Sequence, residues 1–332
     1  MCLPMITALR KRDPRVRISW LCGEAVAPLV ELMGDIEVIA VKDARLLNGS
    51  VLERALELTK LWRRLFGRSF DLVVTGYMDS KARLFTLTTL AKERRKCAPR
   101  KSGWWAVAGR YQGDEYLRLV TSVDGPRMEA AELPTFTVTL SPEMQDLLAS
   151  ARKPFIAIAP GGGKNLSVES PLRRWPLTSY RLLAGSLLER GYGVVVTGGP
   201  GDEWVSEGFA GMNVLDLVGQ TSLLDLLAIY GVSDGVITHD SGPLHLAILA
   251  RAPTVALFGP TLPNHFVPKG MPVTVLWGGD DLACRPCFDG KAYAPCRDNR
   301  CIKQISVAQV VAALEKLVNF EGNREASAKR LT

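Results

Sequence analysis

The residues best placed to do chemistry form a short run, Asp240-Ser241-Gly242-Pro243-Leu244-His245. An apolar stretch at 235–238 leads into it and an apolar-rich stretch at 244–249 follows. That order predicts a strand, a tight turn and the start of a helix. Ser241 or Asp240 suits the N-cap, and Gly242 lets the backbone approach a ligand closely. The first amides of such a helix have no intrahelical partner, and the helix dipole favours an anion beside them. His245 falls in the first turn and can donate to the same anion. The run therefore offers a phosphate-sized site with a carboxylate next to it. It reads equally well as a capped helix with a buried histidine.

Other polar groups recur after apolar runs. Gly161-Gly162-Gly163-Lys164 can cradle a phosphate, or be a turn with a solvated lysine. Arg173 or Arg174, before Trp175-Pro176, supplies a permanent cation whose fork suits phosphate. Gly198-Gly199 precedes the acidic pair Asp202-Glu203; Gly219 precedes Thr221; Gly259-Pro260 precedes Thr261. Four cysteines, Cys284, Cys287, Cys296 and Cys301, lie within 18 residues. Their spacing resembles a structural zinc site, and the alternative is a reduced loop without metal. Cys2, Cys22 and Cys97 read as isolated thiols.

The elements that must position these groups alternate. Strands are expected at 15–21, 36–41 and 70–76, with helices at 25–33, 51–66 and 82–92. A second series has strands at 155–159, 193–199, 214–218, 235–238 and 254–258. Helices are expected at 179–190 and from Val307 to Leu317, the latter with its apolar residues on one face. Strands alternating with helices argue for parallel, doubly wound sheets. A length of 332 residues suits two domains, expected at 1–150 and 151–320, with 321–332 as a disordered tail. In such sheets ligands bind beyond the carboxyl ends of the strands, where the polar groups above fall.

The formal net charge is +7, of which residues 1–150 carry +5. Basic residues cluster at Lys60/Arg63/Arg64/Arg68, at Lys92/Arg94/Arg95/Lys96, and at Arg100/Lys101 before Trp104-Trp105. These suit a phosphorylated glycolipid or an anionic membrane surface, or are a solvated basic face. No nucleic-acid motif accompanies them. No apolar run approaches the 18 or so residues that span a membrane, and the first residues have no signal-peptide layout. A cytoplasmic protein is expected, with peripheral contact at an inner membrane.

The ordered set of 160–164, 173–176, 216–225, 240–245 and 252–263 closely resembles glycosyltransferase family 9, the ADP-heptose:lipopolysaccharide heptosyltransferases and their relatives. The resemblance implies an α/β GT-B architecture, two Rossmann-like doubly wound domains facing a cleft, with the donor bound by the second. It implies an inverting transfer of heptose from ADP-heptose to a lipopolysaccharide-core acceptor, with no required cofactor. The alternatives are another nucleotide sugar, or a non-catalytic nucleotide-sugar-binding protein. By the same resemblance Asp240, Ser241, Gly242 and His245 belong to the donor-binding motif, and Thr221 lies near the nucleotide. Arg173 takes the place of a basic residue, usually lysine, and Asp202 or Glu203 matches an acidic residue near the nucleoside.

One departure concerns the start. Family members open with a strand and a Gly-Asp pair whose aspartate serves as general base. Here Met1-Cys2-Leu3-Pro4 resembles the residues after that pair, and 5–12 the following helix. The expectation is a start placed too late, leaving a slot between the strands at 15–21 and 70–75. Asp79, near a strand end, is the substitute base to consider.

Overall fold

The computed structural model describes all residues except 77–79, 98–109, 122–132, 163–168, 289–292 and 319–332. Asp79, Gly163-Lys164, Trp104-Trp105, Arg100/Lys101 and the expected tail fall outside the described residues. The chain divides at Pro134/Thr135 into two compact units. The boundary therefore precedes the expected one at 150, because α6 (Pro142–Ala149), capped by Ser141, belongs to the second unit.

The second unit holds one parallel sheet. Its strands are β5 (Phe155–Ala159), β6 (Gly193–Val196), β7 (Leu215–Asp216), β8 (Gly235–His239), β9 (Thr254–Phe258) and β10 (Val273–Trp277), in the order β10-β9-β8-β5-β6-β7. The helices between and after them are α7 (Leu177–Glu189), α8 (Glu203–Gly208), α9 (Leu223–Val232), α10 (Gly242–Leu249), α11 (Arg300–Lys303) and α12 (Val307–Leu317). Strands β5, β6, β8 and β9 are buried along their whole length. Helices cover both faces of such a sheet, so the strands read as continuous apolar runs without alternation. On one face α7 and α12 deliver Tyr180, Leu183, Leu187, Val310 and Leu314 onto Ile156, Ile158, Ile237 and Val255. Each fully buried aliphatic side chain here contributes roughly 1.5–3 kcal/mol. Ser222 with Asp225, and Ser306 with Gln309, form reciprocal capping boxes that fix where α9 and α12 begin. Trp175 sits edge-on to Tyr180, ring centroids 4.9 Å apart, and its indole N–H donates to the Ile305 carbonyl at 3.0 Å.

The first unit contains α1 (Pro4–Arg12), β1 (Ile18–Gly23), α2 (Ala27–Glu31), β2 (Ile36–Val41), α3 (Asp43–Asn48), α4 (Val51–Leu65), β3 (Ser69–Thr75), β4 (Leu90–Lys96) and α5 (Gln112–Thr121). Among the described residues its strands form two parallel ladders, β1 with β2 and β3 with β4, and none joins β1 to β3. Helices bridge the ladders: Trp20 of β1 and Val74 of β3 pack on one cluster with Met5, Leu117 and Val120. Arg68, just before β3, donates to Glu37 at 2.8 Å and to Ser19 at 3.2 Å.

The helix expected at 82–92 is a correction. Residues Ser80–Thr86 form a 3-10 turn, and Leu90–Lys96 is a strand. The hydroxyls of Thr88 and Thr89 bond the Trp62 and Thr86 carbonyls, at 3.1 and 2.8 Å, which favours a turn over a continuing helix. The charge of β4 is what an edge strand carries to discourage further pairing. Several members of the basic clusters have internal partners: Lys60 with Glu57, Arg68 with Glu37, Lys92 with Asp71, and Arg95 with Glu93.

Candidate functional site

Sheet topology fixes where a ligand can bind. From β5 the chain moves outward through β6 and β7, then returns to the other side of β5 with β8, β9 and β10. The reversal lies between β5 and β8, and crevices in open parallel sheets open at such a switch point, beyond the carboxyl ends. Gly161-Gly162 follow β5, and Asp240 to His245 follow β8. The register pairs Ala159 with Thr238, so these two turns are neighbours.

At the end of β8 the backbone stays extended through Ser241, with φ −157°, and α10 begins at Gly242 with Pro243 in its first turn. Proline is suited there, since its missing N–H would have no helical partner. The Ser241 side chain does not cap the helix; its hydroxyl donates to the His239 carbonyl at 3.2 Å. The first turn thus keeps its polarity toward the crevice. Gly242 is exposed and a methyl group at its Cα would meet nothing within 4 Å.

Asp240 is buried. Thr261 donates its hydroxyl to the Asp240 carboxylate at 2.8 Å, and the Arg173 guanidinium lies 3.6 Å from the same oxygen. Burial pushes the Asp240 pKa up, while Arg173 and the Thr261 bond pull it down. Arg173 ends a 3-10 turn, Pro171–Arg173, whose last N–H bonds the Ser170 carbonyl at 3.2 Å. His245 is partly buried, and desolvation lowers its pKa to about 3, so it is neutral without an anion beside it. A bound anion reverses that cause by favouring the charged ring. His239 is fully buried, its pKa also lowered to about 3 by burial and then by Arg173 and Arg174. Its Nδ1 lies 3.3 Å from the Tyr180 hydroxyl.

The two arginines have different work. Arg173 faces Asp240. Arg174 donates to the Gly162 carbonyl at 2.7 Å and to Glu169 at 2.9 Å, with its guanidinium 5.2 Å from the Trp204 ring centre. Gly162 has φ +84°, and a Cβ there would lie 3.2 Å from the Ser241 Cβ. Only glycine fits that close approach without strain.

Asp202 and Glu203 are also distinguished. The Asp202 carboxylate accepts the Gly162 N–H at 2.9 Å and the Gly199 N–H at 3.0 Å, stapling the loops after β5 and β6. Glu203 accepts the Gly201 N–H at 2.9 Å, at the start of α8. Thr221 follows β7, three strands from β8, or roughly 14 Å at the usual strand spacing. It stands between Gly219, whose N–H bonds the Gly198 carbonyl at 3.0 Å, and the α9 cap Ser222. Asp240, Ser241, Gly242, His245 and Arg173 thus lie together, while Asp202, Glu203 and Thr221 extend along the strand ends toward β7.

The four cysteines of the expected zinc site, Cys284, Cys287, Cys296 and Cys301, are free thiols; Cys284 and Cys296 are exposed, and the Cys296 thiol donates to the Asp298 carbonyl at 3.1 Å. Among the described residues no group of three or more His, Cys, Asp or Glu side chains is placed to hold a metal ion. The loop carries something the sequence reading missed. Phe288 and Tyr293 form an antiparallel bridge with ring centroids 4.7 Å apart. Their proximity to the Asp240 turn had no signal beyond two aromatics flanking the cysteine spacing.

The model of glycosyltransferase family 9 (heptosyltransferase) matches residues 58–296. The chain belongs to this family. It is 31% identical over 141 residues to lipooligosaccharide heptosyltransferase 2 of Haemophilus influenzae, covering 40% of this chain and 39% of that protein. It is 32% identical over 126 residues to lipopolysaccharide heptosyltransferase 2 of Escherichia coli, covering 36% of this chain and 35% of the relative. The chain thus spans well under half the length of these two relatives. Its fold is similar to the structure of E. coli ADP-heptose lps heptosyltransferase II, with TM-score 0.68, 20% identity, and coverage of 96% of this chain and 94% of that one. The likeness shows an α/β fold of the GT-B kind. Among the described residues no helix is long and apolar enough to cross a membrane.

Proposed function

We propose that this chain is an inverting glycosyltransferase that moves a heptose from ADP-heptose to a lipopolysaccharide-core acceptor. The observation that carries the reading is the meeting of Arg173, Asp240 and the first turn of α10 at the β5/β8 switch point. Family membership supplies the chemistry that such a site serves.

Breaking the glycosidic bond builds negative charge on the departing nucleoside diphosphate. Fixed donors and cations stabilise that charge best when they need no reorganisation. Arg173 offers a forked cation, and Asp240 holds it in place while Thr261 holds Asp240. The start of α10 adds backbone polarity, and His245 can donate an N–H or take a proton as the anion forms. Asp202 acts through the backbone, keeping the glycine loops at 161–162 and 198–199 in register. The reading places the enzyme in the cytoplasm, meeting its acceptor at the inner membrane.

The test is transfer itself. Purified protein is mixed with a heptose-deficient lipopolysaccharide and, separately, ADP-heptose, UDP-glucose or GDP-mannose. A mass increase of one heptose, with nucleoside diphosphate released and the anomeric configuration inverted by NMR, is expected from ADP-heptose alone. Transfer from a different nucleotide sugar overturns the choice of donor. A folded protein that neither transfers sugar nor binds any nucleoside diphosphate overturns the reading.

A further inference from the structure

We propose that Tyr293 is a donor-binding residue whose hydroxyl contacts a diphosphate oxygen of the bound nucleotide beside Arg173. The inference deepens the donor-site reading above and rests on it.

Tyr293 is brought to the site by two independent routes. From the β9 side, the Pro260 carbonyl accepts both the Cys287 and Phe288 N–H groups, at 3.0 and 3.2 Å. The Ala294 N–H donates to the Cys287 carbonyl at 3.2 Å, and the Phe288 bridge then sets Tyr293 over this turn. The next residue, Thr261, is the one bonded to Asp240 at 2.8 Å. From the β5 side, the Tyr293 phenol hydrogen-bonds Ser170, the residue that opens the turn carrying Arg173. Arg173 returns to Asp240 at 3.6 Å, closing a ring of residues: Asp240, Thr261, Phe288, Tyr293, Ser170 and Arg173.

The surroundings decide what the hydroxyl does there. Both Arg173 and Asp240 act electrostatically on the half-buried Tyr293 phenol, and burial raises its pKa, so it stays a protonated donor. A neutral donor beside a buried carboxylate and a forked cation suits an anion that the cation attracts. The ring is already held by Phe288, so the hydroxyl costs little to orient.

The test is calorimetric binding of ADP, GDP, UDP and CDP to the full chain and to Tyr293→Phe, Tyr293→Ala and Ser170→Ala. With the nucleotide that binds the unaltered protein tightest, Tyr293→Phe should weaken binding about tenfold, the loss of one charge-assisted hydrogen bond. Its melting temperature should be unchanged, because the ring remains on Phe288. Ser170→Ala frees the hydroxyl and should bind within about threefold of the unaltered protein. Equal weakening by Tyr293→Phe and Ser170→Ala assigns the hydroxyl to holding the turn and overturns the proposal. Unchanged binding by Tyr293→Phe and Tyr293→Ala overturns it alone. If the unaltered protein binds no nucleoside diphosphate, the donor-site reading falls and takes this one with it.

Discussion

At the scale of single residues, the site divides into groups that would touch an anion and groups that hold them. Arg173 and His245 belong to the first kind, Asp240 and Asp202 to the second. Replacing His245 by alanine should weaken nucleoside-diphosphate binding by roughly 1.5–3 kcal/mol, the range for a hydrogen bond to a charged group. Calorimetry at neutral pH checks it, and binding accompanied by proton uptake would show the ring charging beside the anion. Arg173→Lys keeps the charge but loses the fork. A fall in kcat/KM of about tenfold is expected, against little change for Lys92→Ala on the exposed β4 edge. The motif around Asp240 was legible because it is contiguous: a strand, a turn and a helix start within eleven residues, 237–247. Asp202 was legible as a polar group after a strand but not in its structural role. Both its bonds run to backbone N–H groups, and one of those, on Gly162, lies forty positions away. Tyr293 was illegible, since its nearness to Arg173 depends on how Pro260 receives a later loop.

At the scale of elements, the loop after β5 is the tightest joint. Arg174, Asp202 and Ser241 converge on Gly162 from three separate stretches of chain. Gly162→Ala places a side chain at φ +84° and against the Ser241 Cβ. It should destabilise the fold by roughly 1–3 kcal/mol, read as a lowered urea midpoint, and weaken nucleotide binding as well. The strands of the second unit could be read directly, because helices cover both faces and leave unbroken runs such as Phe155–Ala159 and Thr254–Phe258. Strand β4 could not be read. Its sequence, Leu90–Lys96, is mostly charged because one side of it faces solvent, and burial pattern rather than propensity decides its pairing with β3. Strand β10 escaped for a related reason: it is partly exposed throughout, at an edge of the second unit's sheet.

At the scale of the whole molecule, fully buried His239 and partly buried His245 set a pH response. His239 and His245 have pKa values lowered to about 3 by burial. In the unfolded chain an imidazole takes up a proton near pH 6.5, so unfolding is favoured as the pH falls below that value. The stability is complete above about pH 6.5 and declines as the pH falls toward 3, by up to about 1.4 kcal/mol per pH unit for each such histidine. Urea midpoints at pH 7 and pH 5 should therefore differ, and His239→Asn should narrow the gap. An unchanged gap would locate the acid sensitivity elsewhere. The division into two α/β units was visible in the alternation of elements. The place of the division differs from the expected one at 150, because α6 joins the second unit.

The strand order of the second unit also constrains how the protein is made. The first strand of this unit to leave the ribosome, β5, pairs on one side with β8, about eighty positions later, and its core face is finished by α12. Leu314 of α12 lies 2.7 Å from where a Cβ of Gly235 would be, at the start of β8. During synthesis β5 must wait, its apolar face covered only in part by α7, until almost the whole unit has emerged. Nascent chains halted near residue 300 should bind a chaperone and be cut by protease. Nascent chains released after α12 should resist both, and nucleotide affinity should appear at that same late step.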